Sequence, residues 1–208
     1  MVSNFLFKVL IVGDPLVGKT SFVQRYVNKT FSKHYRATVG VDFALKVLRW
    51  SDTETLRLQL WDVAGQERFA SMTRLYYKDA AGCLLMFDVS SSNTFYNCIG
   101  WKQDLDSKMQ QRDGQAVPCI LLANKCDLGE WAIGQTEVDQ FSREHNFIGW
   151  METSVKENRN IEKAVSVLIN EMMVRASEGG HSVAADGGHL HLDYANDGHN
   201  RHRCCWET

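Results

Sequence analysis

The residues Gly13-Asp14-Pro15-Leu16-Val17-Gly18-Lys19-Thr20 have the spacing G-x-x-x-x-G-K-T. Glycines at both ends of such a turn let backbone N–H groups curl round an anion, and a helix opening behind the turn adds its positive end. An ammonium at Lys19 suits the outer phosphates of a nucleotide. A hydroxyl at Thr20 suits a magnesium ion that bridges them. The expected phosphate-side contacts are Leu16, Val17, Gly18, Lys19, Thr20 and Ser21. A glycine-rich turn that binds nothing is the plain alternative. Against it, the apolar run Phe7–Val12 stands in front and the amphipathic segment Thr20–Asn28 behind, the strand–turn–helix context a phosphate loop requires.

A phosphate loop leaves the base open, and Asn124-Lys125-Cys126-Asp127 addresses it. A carboxylate at Asp127 accepts hydrogens from the ring N–H and the exocyclic amine of guanine, an arrangement adenine cannot match. The wrong base would leave that acceptor unpaired. The aliphatic stem of Lys125 suits one face of the purine. Ser154, Val155 and Lys156, ending a later strand, would add backbone donors for the guanine carbonyl. A third constellation is Trp61-Asp62-Val63-Ala64-Gly65-Gln66-Glu67. Asp62 is placed to hold magnesium through water, Gly65 lets its N–H approach the terminal phosphate, and Gln66 is placed to orient an attacking water.

These residues need a scaffold, and the chain supplies an alternating one. Strands are expected near 6–12, 41–50, 55–63, 82–89, 117–123 and 148–153, with helices near 19–28, 72–79, 93–109, 136–145 and 160–176. The alternation predicts an α/β fold with helices on both faces of a six-stranded, mostly parallel sheet. The short polar turn Ser51–Glu54 joins two adjacent strands as a hairpin, which puts one antiparallel strand at the sheet edge. Ile161, Ala164, Val165, Leu168, Ile169 and Met172 mark one face of the last helix, with Asn160 as its N-cap.

At 208 residues the chain accommodates one domain with an appendage, and its net charge of −2 argues against a nucleic-acid binder. No secretory signal, bilayer-spanning run or N-myristoylation pattern is expected, since Val2 stands where that pattern needs glycine. Cys83, Cys98, Cys119 and Cys126 are expected as small core residues without metal spacing. Residues 1–176 form the expected domain, and 177–208 an expected disordered tail. The tail holds five acids, two arginines and five of the seven histidines. Those histidines lack a rigid scaffold for a metal.

Taken together, the chain resembles a Ras-superfamily small GTPase and, within it, a Rab protein. The P-loop NTPase likeness runs over residues 5–176. It is carried by Val39–Phe43, Arg57–Trp61, Arg68–Thr73 and Tyr76–Ala80, besides the three constellations above. The runs His34–Leu48 and Trp101–Lys108 are similar to the Rab branch serving lysosome-related organelles and the trans-Golgi network. The resemblance implies a switch that binds GTP or GDP with magnesium and hydrolyses GTP slowly. It assigns Thr38 to magnesium and the γ-phosphate, Phe31 to the guanine edge and Tyr35 to closure over the phosphates. Magnesium ligands are then Thr20, Thr38 and, through water, Asp62; Gln66, Thr38 and Lys19 are the catalytic group. Phe43, Trp61 and Tyr76 become a surface triad read by effectors. An exchange factor, a GTPase-activating protein and a GDI or escort protein are implied as further partners. The implied location is the cytoplasmic face of trans-Golgi, endosomal or lysosome-related membranes, with cycling through the cytosol.

Two departures stand out. Pro15 occupies a position usually small in this superfamily; it donates no N–H and is expected to crowd Gln66 or an incoming GTPase-activating protein. Val155 replaces a commoner alanine, at a position whose expected contact is through the backbone. At the C-terminus, Cys204-Cys205-Trp206-Glu207-Thr208 resembles a Rab di-cysteine end. Two geranylgeranyl chains are preferred over a single C-a-a-X lipid, because one chain anchors marginally and the tail has no basic patch. Two alternatives to the switch remain: a module that holds nucleotide with little hydrolysis, and an adenylate-using kinase. Asp127 and the lack of an arginine-rich lid disfavour the second.

Overall fold

The strand that carries the phosphate loop is apolar on both sides. Val9 and Ile11 join one buried cluster, Leu10 and Val12 the other, as expected for period-two side chains on a strand covered on both faces. This computed structural model describes residues 3–32, 37–51, 54–66, 73–109 and 116–178. Its elements are β1 (Ser3–Val12), α1 (Lys19–Asn28), β2 (Val41–Arg49), β3 (Glu54–Val63), α2 (Thr73–Tyr77), β4 (Gly82–Asp88), α3 (Ser92–Lys108), β5 (Cys119–Asn124), α4 (Gln135–Glu144), β6 (Gly149–Thr153) and α5 (Ile161–Glu178). The sheet order is β2-β3-β1-β4-β5-β6. Only β2–β3 pairs antiparallel, as the sequence predicts.

Phe22 and Tyr26 of α1 pack with Leu168 of α5 on one face. Phe95, Trp101 and Leu105 of α3, Tyr77 of α2 and Val138 of α4 pack on the other. Parallel pairing brings the C-terminal ends of the strands to one edge, where α/β sheets bind ligands. Ile11 stands opposite Asp62 there, and Asp88, Asn124 and Thr153 form one row across β4, β5 and β6. Among the described residues no helix is long and apolar enough to cross a membrane.

Some boundaries differ from expectation. Strand β1 begins at Ser3 because β3 offers partners down to Glu54. Strand β5 begins at Cys119, since Pro118 has no N–H for a ladder; its carbonyl instead accepts Cys83 N–H at 2.9 Å. Helix α2 is short and closes as Asp79 turns left-handed (φ 59°). Asn160 does sit at the start of α5, its carbonyl taking Ala164 N–H. Its own φ is +57° and its side-chain amide donates to Glu152 O, so no side-chain cap forms there. Cys83, Cys98 and Cys119 are buried as predicted. Cys126 is not: beyond the end of β5 it is half-exposed, with Arg159 against its sulfur. Tyr35, the first part of 72–79 and the tail from 179, with its histidines and Cys204 and Cys205, lie outside the described residues.

Candidate nucleotide-binding site

The turn after β1 is shaped by packing that leaves no room for side chains. A Cβ at Gly13 (φ 136°) would lie 2.2 Å from the Met86 carbonyl oxygen, and one at Gly18 (φ 105°) 2.6 Å from Asn124 Nδ2. Gly18 caps α1 without any side-chain hydrogen bond, so the first N–H groups of the helix stay available to an anion. Lys19 folds back over the loop, its Nζ donating to Gly13 O and Asp14 O at 2.8 Å each. Burial pushes its amine down to about 8, against the pull of Asp62 and Asp14.

Behind Lys19 three oxygens meet. Thr20 Oγ1 lies 2.8 Å from Thr38 Oγ1 and donates to Asp62 Oδ2 at 2.5 Å. Asp62 is 2% exposed and its Oδ1 is buried without a hydrogen-bond partner among the described residues. Burial raises its carboxyl above the ordinary range, and Thr20 and Lys19 only partly offset that. Two hydroxyls and a carboxylate with an idle oxygen are the donor set of a hard divalent cation, so the residues fit magnesium.

The far end of the site is tied to this one by a single amide. Asn124 Nδ2 donates to Val17 O at 2.7 Å, and Asn124 Oδ1 accepts from Thr153 Oγ1 at 3.1 Å. Next to it, Asp127 takes Ser154 Oγ–H on Oδ1 (2.6 Å) and Lys156 Nζ on Oδ2 (3.2 Å). Partial burial works to raise the Asp127 carboxyl, but these bonds outweigh it and hold it low. The Lys125 ammonium is 2.6 Å from Asp88 Oδ2, which leaves its stem along the cavity wall.

One cavity of about 770 Å³ joins the two ends. Of the predicted residues, Leu16, Gly18, Lys19, Thr20, Ser21, Phe31, Thr38, Gly65, Gln66, Asn124, Lys125, Asp127, Val155 and Lys156 line it. Val17, Asp62 and Ser154 are buried behind the wall and act through their partners. Pro15 also lines it, close against Gly65, the neighbour of Gln66. A Cβ on Gly65 would come within 2.2 Å of Pro15 N and 2.6 Å of its Cδ. On the sheet face, Phe43 meets Trp61 edge-on at 4.5 Å and is 58% exposed, as are Leu45 (58%) and Val47 (57%) further along β2. The Lys8 ammonium sits 3.4 Å over the Trp61 ring. Trp61 and Tyr76 are half-buried on the cluster beneath.

Sequence reasoning missed three supporting groups. Asp88 ends a strand just as Asp62 does, a position that signalled it. Thr153 is placed only by register. Asp14 takes Trp101 Nε1–H at 2.8 Å and Asn97 Nδ2–H at 2.6 Å, from partners more than eighty residues away, and no local pattern announces that.

The model of the Ras family matches residues 8–174, the whole span that carries this geometry. The chain belongs to the Ras family. Within it the similar relatives are Rab proteins. The chain is 60% identical over 189 residues to the human Ras-related protein Rab-7L1, covering 91% of this chain and 93% of that one. It is 55% identical over 170 residues to the human Ras-related protein Rab-32 (81% and 76% covered). To Ras-related protein Rab-32A of Dictyostelium discoideum it is 51% identical over 174 residues (82% and 80%). The protein is thus a Rab-family small GTPase, a guanine-nucleotide-binding switch of membrane traffic, with the P-loop fold predicted.

Proposed function

We propose that this Rab-family chain binds GTP and GDP in the 770 Å³ cavity, hydrolyses GTP, and recruits effectors while GTP is bound. The observation that carries the reading is the Asn124 side chain. It fastens the phosphate loop, through Val17 O, beside the carboxylate of Asp127, so one cavity offers anion donors at one end and a guanine-selecting acceptor at the other.

The phosphates enter over Gly18 and the start of α1, and Lys19 exchanges its carbonyl partners for them. Thr20, Thr38 and, through water, Asp62 would hold magnesium, which when bound neutralises charge on the β- and γ-oxygens. Gln66 orients a water whose oxygen forms the new bond to the γ-phosphorus. The β–γ bridging bond then breaks, and GDP and phosphate leave. Thr38 and Gly65 report the γ-phosphate to the two flanking loops and hence to the Phe43–Trp61–Tyr76 face. Hydrolysis by positioning alone is slow, and a GTPase-activating protein, an exchange factor and a GDI or escort protein complete the cycle. Lipid chains on Cys204 and Cys205 tether the domain to the cytoplasmic face of trans-Golgi, endosomal or lysosome-related membranes. The His34–Leu48 and Trp101–Lys108 runs support that branch.

The test of binding is competition of GDP against ADP. Wild type should favour GDP by at least about 10³-fold, and Asp127→Asn should lose at least about tenfold of that preference. A second reading, nucleotide binding with little hydrolysis, draws on Pro15 pressed against Gly65. Single-turnover phosphate release from GTP-loaded protein decides between them. Gln66→Leu should slow it by about tenfold or more; an unchanged rate removes Gln66 from the mechanism.

A further inference from the structure

Arg25 lies on α1, outside every nucleotide motif, yet its guanidinium reaches both walls of the base end of the cavity. Its Nε donates to Val155 O at 2.9 Å and its Nη2 to Lys156 O at 3.1 Å. On the other side its guanidinium carbon lies 5.5 Å from the centroid of the Phe31 ring. Both Phe31 and Lys156 line the cavity.

A trans peptide is planar, so the C=O of one residue and the N–H of the next point in opposite directions. Fixing Val155 O toward Arg25 therefore aims Lys156 N–H the other way. Fixing Lys156 O orients Glu157 N–H, which donates to Ser154 Oγ at 3.0 Å. That hydroxyl in turn donates to Asp127 Oδ1 at 2.6 Å. One charged fork thus sets the direction of a main-chain donor and, through one peptide and one hydroxyl, the placement of the carboxylate. A guanidinium suits this task, because its planar donors bind two carbonyls at fixed relative angles, which a lysine ammonium cannot reproduce.

We propose that Arg25 is a positioning residue for guanine recognition: it holds the Ser154–Glu157 turn so that Lys156 N–H and Asp127 meet the base oxygen and ring N–H, and braces Phe31 opposite. This deepens the proposed guanine-nucleotide reading and rests on it. Its remaining bond, Nη1 to Lys29 O at 3.4 Å, stays on α1, and none of these contacts reaches a phosphate-loop or magnesium residue, so its effect should fall on the base.

The experiment uses the full-length chain and two ligands. One is a fluorescent ribose-labelled GDP. The other is 2-aminopurine riboside diphosphate, which keeps the phosphates and exocyclic amine but lacks the base oxygen and the ring N–H. Arg25→Ala should speed GDP dissociation about tenfold, while release of the 2-aminopurine ligand, which keeps the amine and the purine face but lacks the base oxygen and ring N–H, should speed by clearly less, about threefold at most. Arg25→Lys should recover part of the GDP retention, about a third of the loss on a logarithmic scale. Arg25→Gln and Arg25→Lys carry the same two-ligand comparison if the alanine variant fails to fold. GDP release at the wild-type rate in the variants overturns the proposal. Equal acceleration for both ligands also overturns it, since Arg25 would then merely hold the domain together. Failure of the wild type itself to retain GDP over ADP would instead remove the guanine reading on which the proposal stands.

Discussion

Replacing Trp101 by phenylalanine tests how the phosphate loop is anchored to the body of the domain. Trp101 is fully buried on α3, and its indole N–H donates to Asp14 Oδ1 at 2.8 Å. Asn97 donates to the other oxygen, at 2.6 Å, from an exposed position. A hydrogen bond to a charged group contributes about 1.5–3 kcal/mol when water is excluded, and an exposed neutral-donor bond about 0.5–1.5 kcal/mol. Shrinking indole to phenyl adds about 1 kcal/mol for lost burial and imperfect collapse. Trp101→Phe should therefore cost about 2.5–4 kcal/mol and Asn97→Ala about 1 kcal/mol. For a domain of this size that is a fall in Tm of roughly 5–15 °C against roughly 2–4 °C. The assay is thermal unfolding by circular dichroism at one saturating GDP concentration, because bound ligand shifts Tm by mass action. A double-mutant cycle with Asp14→Ala separates the hydrogen bond from the cavity and should show about 1–2 kcal/mol of coupling. Coupling below about 0.5 kcal/mol, or a larger loss from Asn97→Ala than from Trp101→Phe, would refute the reasoning that burial decides the strength of this anchor.

Lys19 makes a prediction about protons. Burial holds its amine near 8, below the unfolded value of 10.5, so between those values the unfolded chain carries more protons and Lys19 makes stability rise with pH. Nucleotide phosphates restore the ammonium, so GDP binding should take up a larger fraction of a proton at pH 8.5, above the amine's value, than at pH 7.5, below it. Calorimetry in buffers of different ionisation enthalpy reads this directly, and equal uptake at both values would contradict it. Leu16 stands at φ 68° with its side chain 61% exposed, so strain is not offset by packing. Leu16→Gly relieves about 1–2 kcal/mol of left-handed strain and gives back about 0.5–1 kcal/mol in chain entropy. The expected result is a Tm higher by about 1–4 °C; a lower Tm would mean that Leu16 packs in a way its exposure does not reveal.

Where the sequence was informative, the signal was local. Gly13, Gly18 and Lys19 sit within one turn, and the Phe7–Val12 run needed only its alternation to be read as a doubly covered strand. The antiparallel edge followed from the shortness of the Ser51–Glu54 turn. What escaped was set by register. Val17 meets Asn124, and Asp14 meets Trp101, only because parallel pairing aligns the ends of β1, β4 and β5 and lays α3 beneath them. Cys126 was misplaced because cysteine composition argues for burial, whereas its position just past a strand end decides for exposure. By residue type Asn160 reads as a cap. In the fold its backbone is left-handed and its side-chain amide donates to Glu152 O of β6 instead. Leu45 and Val47 alternate with Phe43 as core residues do, and the sheet order shows that they lie on the edge strand, more than half exposed among the described residues.

Strand β2 is also the outermost strand, so its far side offers main-chain donors and acceptors to any extended segment that approaches. Phe43, Leu45 and Val47, each more than half exposed, stand along that edge and form an apolar strip. Self-association at high concentration should therefore fall when a specific binder lies across this strand.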